Sequence, residues 1–174
     1  MRIISSMELK NKQIDRLLNR GKADLSSIVL AVRTIIDDVK EEGDKALLRY
    51  TEKLDNVHLL ASKIRVSENE IKDAYMKLNE KQVIALRKAA DNIKAFHKKQ
   101  LRAKWTMQIT EGVTLGQVTR PLASVGVYAP GGKASYPSSV LMCAVPAKVA
   151  GVEKIVVCSP PSKNGDVDPS LLVA

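Results

Sequence analysis

Apolar residues recur every three or four positions through most of the first hundred residues and every second position just after them, so the period of the pattern divides the chain. Ile28, Val32, Ile35, Ile36 and Val39 make one stripe, which predicts a helix from about Ser26 to Glu42 closed by Gly43. Asp44 is placed to cap the next helix, in which Ala46, Leu47, Tyr50 and Leu54 face inward as far as an Asp55-Asn56 turn. Lys63 to Val66 reads as a short strand. Ser67 and Glu70 then stand at capping-box spacing ahead of Ile71, Ala74, Tyr75 and Leu78. Asn79 with Gln82 repeats that spacing ahead of the longest predicted helix, whose apolar stripe is Val83, Leu86, Ala90, Ile93 and Phe96, with Arg87, Lys88, Asp91, Lys94 and Lys98 opposite. Before all of these, Met1 to Asn19 suggests a short strand-like start and a polar helix carrying Leu9, Ile14, Leu17 and Leu18.

From Trp105 the alternation of Trp105, Met107 and Ile109, then of Val113, Leu115 and Val118 after Glu111-Gly112, predicts a β-hairpin that Arg120-Pro121 ends. Val125 to Tyr128 is a second strand, stopped by Pro130 and loosened by Gly131-Gly132. Pro137 opens a helix whose Val140, Leu141, Ala144, Val145, Lys148 and Val149 recur at helical spacing as far as Gly151. Ile155 to Cys158 is an unbroken apolar run ended by Pro160-Pro161, the pattern of a parallel strand buried on both faces. The fold class is therefore α/β. Residues 1–123 are a helical and hairpin amino-terminal part, and residues 124–174 begin a Rossmann-like parallel sheet with one βαβ unit and, from Asp168, the capped first turn of another helix.

Composition narrows the setting. The 174 residues are 45% apolar and contain no run near the roughly 18 apolar residues of a membrane span, nor a signal-peptide core, so a cytoplasmic protein without a membrane partner is expected. Cys143 and Cys158 have no histidine nearby in sequence and read as core thiols rather than a metal pair or a disulfide. A formal charge of +9 raises nucleic acid as a partner, through Lys94, Lys98, Lys99, Arg102 and Lys104. With 3% aromatic residues in the whole chain, that cluster reads instead as a solvated face. His97, four residues after Ile93, reads as a structural hydrogen-bonding residue.

In a βαβ unit ligands sit beyond the carboxyl ends of the strands, which here means the loop from Tyr128 to Ser139 and the Ser159 end. Free N–H groups at the helix start, with Ser135, Ser138 and Ser139 beside them, suit an anion such as a pyrophosphate. No acid lies between Glu111 and Glu153, whereas Arg120, Lys133 and Lys148 do. The loop lacks G-x-G-x-x-G, and spacing alone leaves plain turn chemistry equally open.

The segment GVYAPGGKASYPSSVLMCAVPAKVAGV closely resembles the glycine-proline segment of histidinol dehydrogenases, and the likeness extends through GVTLGQVTRPL, FHKKQ, VVCSPP and EEGDKALLRYTEKLD. The resemblance implies a dimeric enzyme that oxidises L-histidinol to L-histidine in two NAD-dependent steps, the last reaction of histidine biosynthesis, with zinc at its site. It places Tyr128 at the dinucleotide, with Pro130 next to that contact, whereas residue chemistry alone favours a half-buried strand-end tyrosine with a local bond. Ser138 and Ser139 face substrate or cap the first turn. The family's Glu-His acid-base pair and its zinc ligands have no counterpart here, and His58 and His97 match neither set. A two-stranded parallel sheet needs further covering, so the sequence reads as the amino-terminal portion of such an enzyme, inactive alone. The alternatives are a small basic nucleic-acid-binding module and an interaction protein that pairs with a separate carboxyl-terminal half.

Overall fold

A computed structural model describes residues 25–131 and 134–174, so the strand and helix expected within residues 1–19 lie outside the described residues. Two units divide between Leu47 and Leu48. The described part of the first holds α1 (Ser26–Glu42) and the beginning of α2 (Asp44–Asp55). Gly43 closes α1 by donating its N–H to the Val39 carbonyl, at 2.9 Å. Asp44 is thus the first residue inside α2 rather than its cap, where its charge still favours the helix start. Of the residues expected to face inward on α2, Ala46 is buried, whereas Leu47 and Leu54 are exposed. Along α1, Ile28, Val32 and Ile36 are exposed as well. The turn after α2 is made by Asn56 with a positive φ of 56°, which a short polar side chain tolerates.

In the second unit the expected strand at Lys63 to Val66 is replaced by a 3-10 turn, Ala61–Lys63, followed by Ile64 in a helical conformation. The Lys63 and Ile64 N–H groups close local turns onto Leu60 and Ala61, and no strand lies alongside among the described residues. Both capping boxes form. Ser67 opens α3 (Glu68–Lys77), its N–H donating to Glu70 at 2.8 Å while its hydroxyl accepts from the Glu70 N–H at 3.3 Å. Asn79 and Gln82 exchange the same pair of bonds at 3.0 and 2.9 Å to open α4 (Glu80–Lys98). At its far end the His97 ring bonds Gln100 at 2.6 Å, the structural role expected of it.

The Glu70 carboxylate accepts from the Ser67 N–H, the Ser67 hydroxyl and Lys63, in that order of influence, and these hold its pKa down at about 2 from 4.5. A carboxyl that is the stronger acid when folded stabilises the fold above its unfolded pKa. Its contribution is complete above pH 4.5 and fades as pH falls towards 2. In an acid titration of α3 helicity, Glu70→Gln, which keeps the acceptor, is expected to flatten the loss across that window; a parallel curve would remove Glu70 from the acid response.

Strands β1 (Trp105–Thr110) and β2 (Val113–Gln117) form the expected antiparallel hairpin, with an irregularity between Gln108 and Thr110. Then β3 (Ser124–Tyr128), α5 (Pro137–Ala150) and β4 (Lys154–Cys158) complete the βαβ unit, and α6 (Pro169–Val173) follows. The parallel register runs from Ser124 opposite Lys154 to Tyr128 opposite Cys158, so both strands end level. Helix α5 lies on both strands and also packs against α4, while α6 packs against α3 and α5. Val57, Ala74, Val127, Ala129, Val140 and Leu141 are the buried apolar residues of this unit. Pro146 sits inside α5, so the Met142 carbonyl has no helical donor there.

Two burial expectations fail here for one reason. Val156 and Val157, expected to be covered on both faces, are each 44% exposed, and the expected core thiols Cys143 and Cys158 are free and exposed. A two-stranded sheet carrying one helix layer has too little material to enclose both strands.

Candidate functional site

The level ends of β3 and β4 build one edge from three consecutive pieces: the strand ends, the glycine loop and the first turn of α5. Tyr128 is the last residue of β3, and the Ala129 N–H after it donates to the Cys158 carbonyl at 2.8 Å. Ala129 is fully buried beneath the edge, so the chain is pinned immediately after Tyr128. Tyr128 itself is 67% exposed, and among the described residues its hydroxyl has no hydrogen bond, unlike the half-buried, locally bonded tyrosine that residue chemistry left open. Pro130 is exposed beside it.

Gly131 carries the loop across Pro160. A Cβ on Gly131 would lie 2.9 Å from Pro160 Cγ, a distance real Cβ atoms do not occupy, so this close approach requires glycine. The next two residues lie outside the description, and the chain re-enters at Ala134. Tyr136 precedes α5 without any side-chain cap, and Pro137 takes the first helical position, where its missing N–H costs nothing. The Ser139 N–H turns back to the Tyr136 carbonyl at 3.0 Å. The start of this 14-residue helix is therefore not closed by a side chain.

The three serines named from the sequence separate in space. Ser135 is turned away from the helix start, and its hydroxyl lies 3.0 Å from that of Ser170 at the beginning of α6. The Ser170 hydroxyl and N–H both donate to Asp168 Oδ1, at 2.5 and 2.8 Å. Burial works against ionisation of Asp168, and bonds from the Ser170 hydroxyl and N–H, the Ser135 hydroxyl and the Leu171 N–H more than offset it, holding the carboxyl below its ordinary value. Ser135 thus belongs with a carboxylate, which opposes an anion at that point. Ser138 and Ser139 remain in the first turn of α5, and Ser138 is exposed.

Ser159, just past β4, stands at the strand end that the sequence pattern marked for a ligand. Its Oγ is buried without a hydrogen-bond partner among the described residues. The available signal was a hydroxyl immediately after a predicted strand end. Nothing local linked Ser135 to Asp168 and Ser170, since the pairing spans 35 positions.

No group of three or more His, Cys, Asp or Glu side chains that could hold a metal ion occurs among the described residues. His58 Nδ1 lies 3.5 Å from Glu52, and His97 is engaged by Gln100, so neither histidine belongs to the strand-end edge. Lys94, Lys98, Lys99, Arg102 and Lys104 are exposed along the end of α4 and the stretch after it. Trp105, next in sequence, uses its indole N–H on Gln117 at 3.3 Å. No helix among the described residues is long and apolar enough to cross a membrane.

Comparison with known proteins converges on one group. A family model described as histidinol dehydrogenase matches residues 18–174. The histidinol dehydrogenase of Clostridium acetobutylicum is 46% identical over 175 residues, covering 100% of this chain and 40% of that protein. That of Caldanaerobacter subterraneus subsp. tengcongensis is 49% identical over 160 residues, covering 92% of this chain and 37% of that protein. A crystal structure of histidinol dehydrogenase from Elizabethkingia anophelis superimposes with a TM-score of 0.78 at 40% identity, covering 87% of this chain and 34% of that one. The chain spans about two fifths of the length of the curated relatives it matches.

Proposed function

Because the chain belongs to the histidinol dehydrogenase family, we propose that it supplies the amino-terminal part of an enzyme that oxidises L-histidinol to L-histidine in two NAD-dependent steps, in the cytoplasm, as a homodimer. The observation that carries this reading is the family match across residues 18–174. In the complete enzyme residues 1–123 would form the helical and hairpin part and residues 124–174 the start of the cofactor domain.

The strand-end edge fits one portion of a dinucleotide. The exposed Tyr128 ring offers an aromatic face, Pro130 an apolar shoulder, and the first turn of α5 N–H groups that no side chain caps. When bound, NAD supplies the hydride acceptor for each oxidation step. The chain's own contribution is orientation: Ala129 pins the end of β3, and Gly131 lies against Pro160. Zinc does not fit the described residues, which offer no ligand cluster. Proton removal from the alcohol likewise falls to groups outside the matched part.

The test is a graft of residues 1–174 in place of the matching 40% of the Clostridium acetobutylicum relative. In it, Tyr128→Ala is expected to raise KM for NAD about tenfold with kcat little changed, the loss of roughly one aromatic contact. An unchanged KM for NAD would return Tyr128 to a structural role.

A further inference from the structure

The hairpin is amphipathic, and among the described residues its apolar side is left open. Met107 stands opposite Leu115 and Trp105 opposite Gln117. Side chains two apart share a face, so Val113 joins them, while Thr106, Gln108 and Thr114 take the other face. Trp105, Met107, Val113 and Leu115 are 47–55% exposed, and Ile109, at the irregularity, is 50% exposed. Among the described residues β1 and β2 pack chiefly on each other. A lone hairpin is at best marginally stable in water, and a contiguous apolar patch of several hundred Å² is more than soluble monomers leave open as a rule. Charge marks the two ends of this face. Arg102 and Lys104 precede β1 at the base, Arg120 follows β2 there, and Glu111 lies in the turn at the tip. None of the four has an ion-pair partner among the described residues.

We propose that this face is where two copies of the chain pair, hairpin on hairpin and head to tail. Two such sheets stack about 10 Å apart with their strands nearly aligned. A two-fold axis lying between the faces and perpendicular to the strands sets the Glu111 tip of each copy over the Arg102, Lys104 and Arg120 base of the other. An axis along the strands would instead bring the two basic ends together. A second copy fits because one apolar face carries opposite charges at its two ends, which makes it complementary to itself. With Val118 and the flanking Leu101 and Leu122, all more than half exposed, the apolar side offers an area comparable with the ~800 Å² that each partner of a standard interface buries. The pairing gives the homodimer proposed above a surface on this chain. It does not depend on the cofactor reading, so the KM test of Tyr128 and the test of this face can fail separately.

Sedimentation equilibrium of the full 174-residue chain tests it. The wild-type chain is expected to have the mass of a dimer, and Leu115→Glu, which puts a charge in the apolar face, to weaken association by at least about 100-fold. Thr114→Glu, its neighbour on the polar face, should leave the mass unchanged. Glu111→Lys is expected to weaken association about fivefold, with the effect shrinking at high salt, and adding Lys104→Glu to it should recover most of the loss. A monomeric wild-type chain would overturn the proposal, as would a dimer indifferent to Leu115→Glu. Equal losses from Leu115→Glu and Thr114→Glu would overturn it too, because association would then not distinguish the two faces. If the chain is monomeric and Leu115→Glu instead unfolds the graft, the face belongs to the remainder of the longer enzyme and not to a second copy. A dimer unaffected by Glu111→Lys would overturn the head-to-tail arrangement.

Discussion

Purified residues 1–174 are expected to show no NAD-dependent oxidation of histidinol, with or without added zinc, whereas the same residues grafted onto the remainder of the Clostridium acetobutylicum relative are expected to be active. Removing a proton from the alcohol calls for a base within hydrogen-bond reach, a contribution of about 10²- to 10⁴-fold on its own. Both histidines are placed elsewhere, against Glu52 and Gln100, and the strand-end loop between Glu111 and Glu153 contains no carboxylate at all. Asp168, the acid tied to the loop, has its Oδ1 occupied by the Ser170 N–H and hydroxyl and is held in its charged form by them. It is committed to structure. Holding a cofactor in place does not substitute for the missing proton acceptor, so the expected ratio between graft and isolated chain is at least about 10². A steady-state assay of NADH formation checks it. Turnover by the isolated chain near the rate of the graft would end the reading of this chain as one part of a catalytic whole.

Leu141→Ala is expected to be the most damaging single substitution to the fold of residues 48–174. Leu141 is 3% exposed on α5, the helix that lies on both strands and against α4 and α6. Truncating a buried leucine costs about 2–5 kcal/mol, from lost transfer energy and from the cavity left behind. Domains of this size have about 5–15 kcal/mol in all. Here the reserve is small, since Val156, Val157 and the hairpin's Trp105, Met107 and Leu115 all keep much of their apolar surface in water. A thermal melt followed by circular dichroism should shift down by about 10 °C or lose its transition. The neighbouring Met142→Ala, at a side chain 55% exposed, should change stability by no more than about 0.5 kcal/mol. Equal shifts for the two variants would mean that α5 does not bury Leu141 as described.

Local chemistry made much of this chain legible in advance. Ser67 with Glu70 and Asn79 with Gln82 closed as capping boxes because the reciprocal bonds need only four consecutive residues. The hairpin at Glu111-Gly112, the helix from Pro137 to a left-handed Gly151, and the Asp168 cap were set by the same short-range rules. The segment at Lys63 to Val66 was not, because a strand exists only where a neighbour accepts its ladder, and there the N–H groups closed a 3-10 turn instead. Apolar pattern likewise announced which residues would suit a core without deciding how much core there is. Ile155 to Cys158 carries the signature of an interior strand, yet burial depends on the number of layers packed around it, and among the described residues only β3 and α5 cover it.

The edge at the strand ends shows the same division. That Tyr128, Pro130 and Gly131 would fall together followed from the order strand, loop, helix, strand and from the parallel pairing that such a unit requires. The family likeness, too, was carried by contiguous residues. Tertiary structure alone decided that Tyr128 stands in solvent, that Gly131 is held to glycine by Pro160, and that the Ser135 hydroxyl goes to Ser170 rather than to the start of α5. The last two depend on contacts between residues about thirty or more positions apart, and no periodicity or spacing rule acts over that distance.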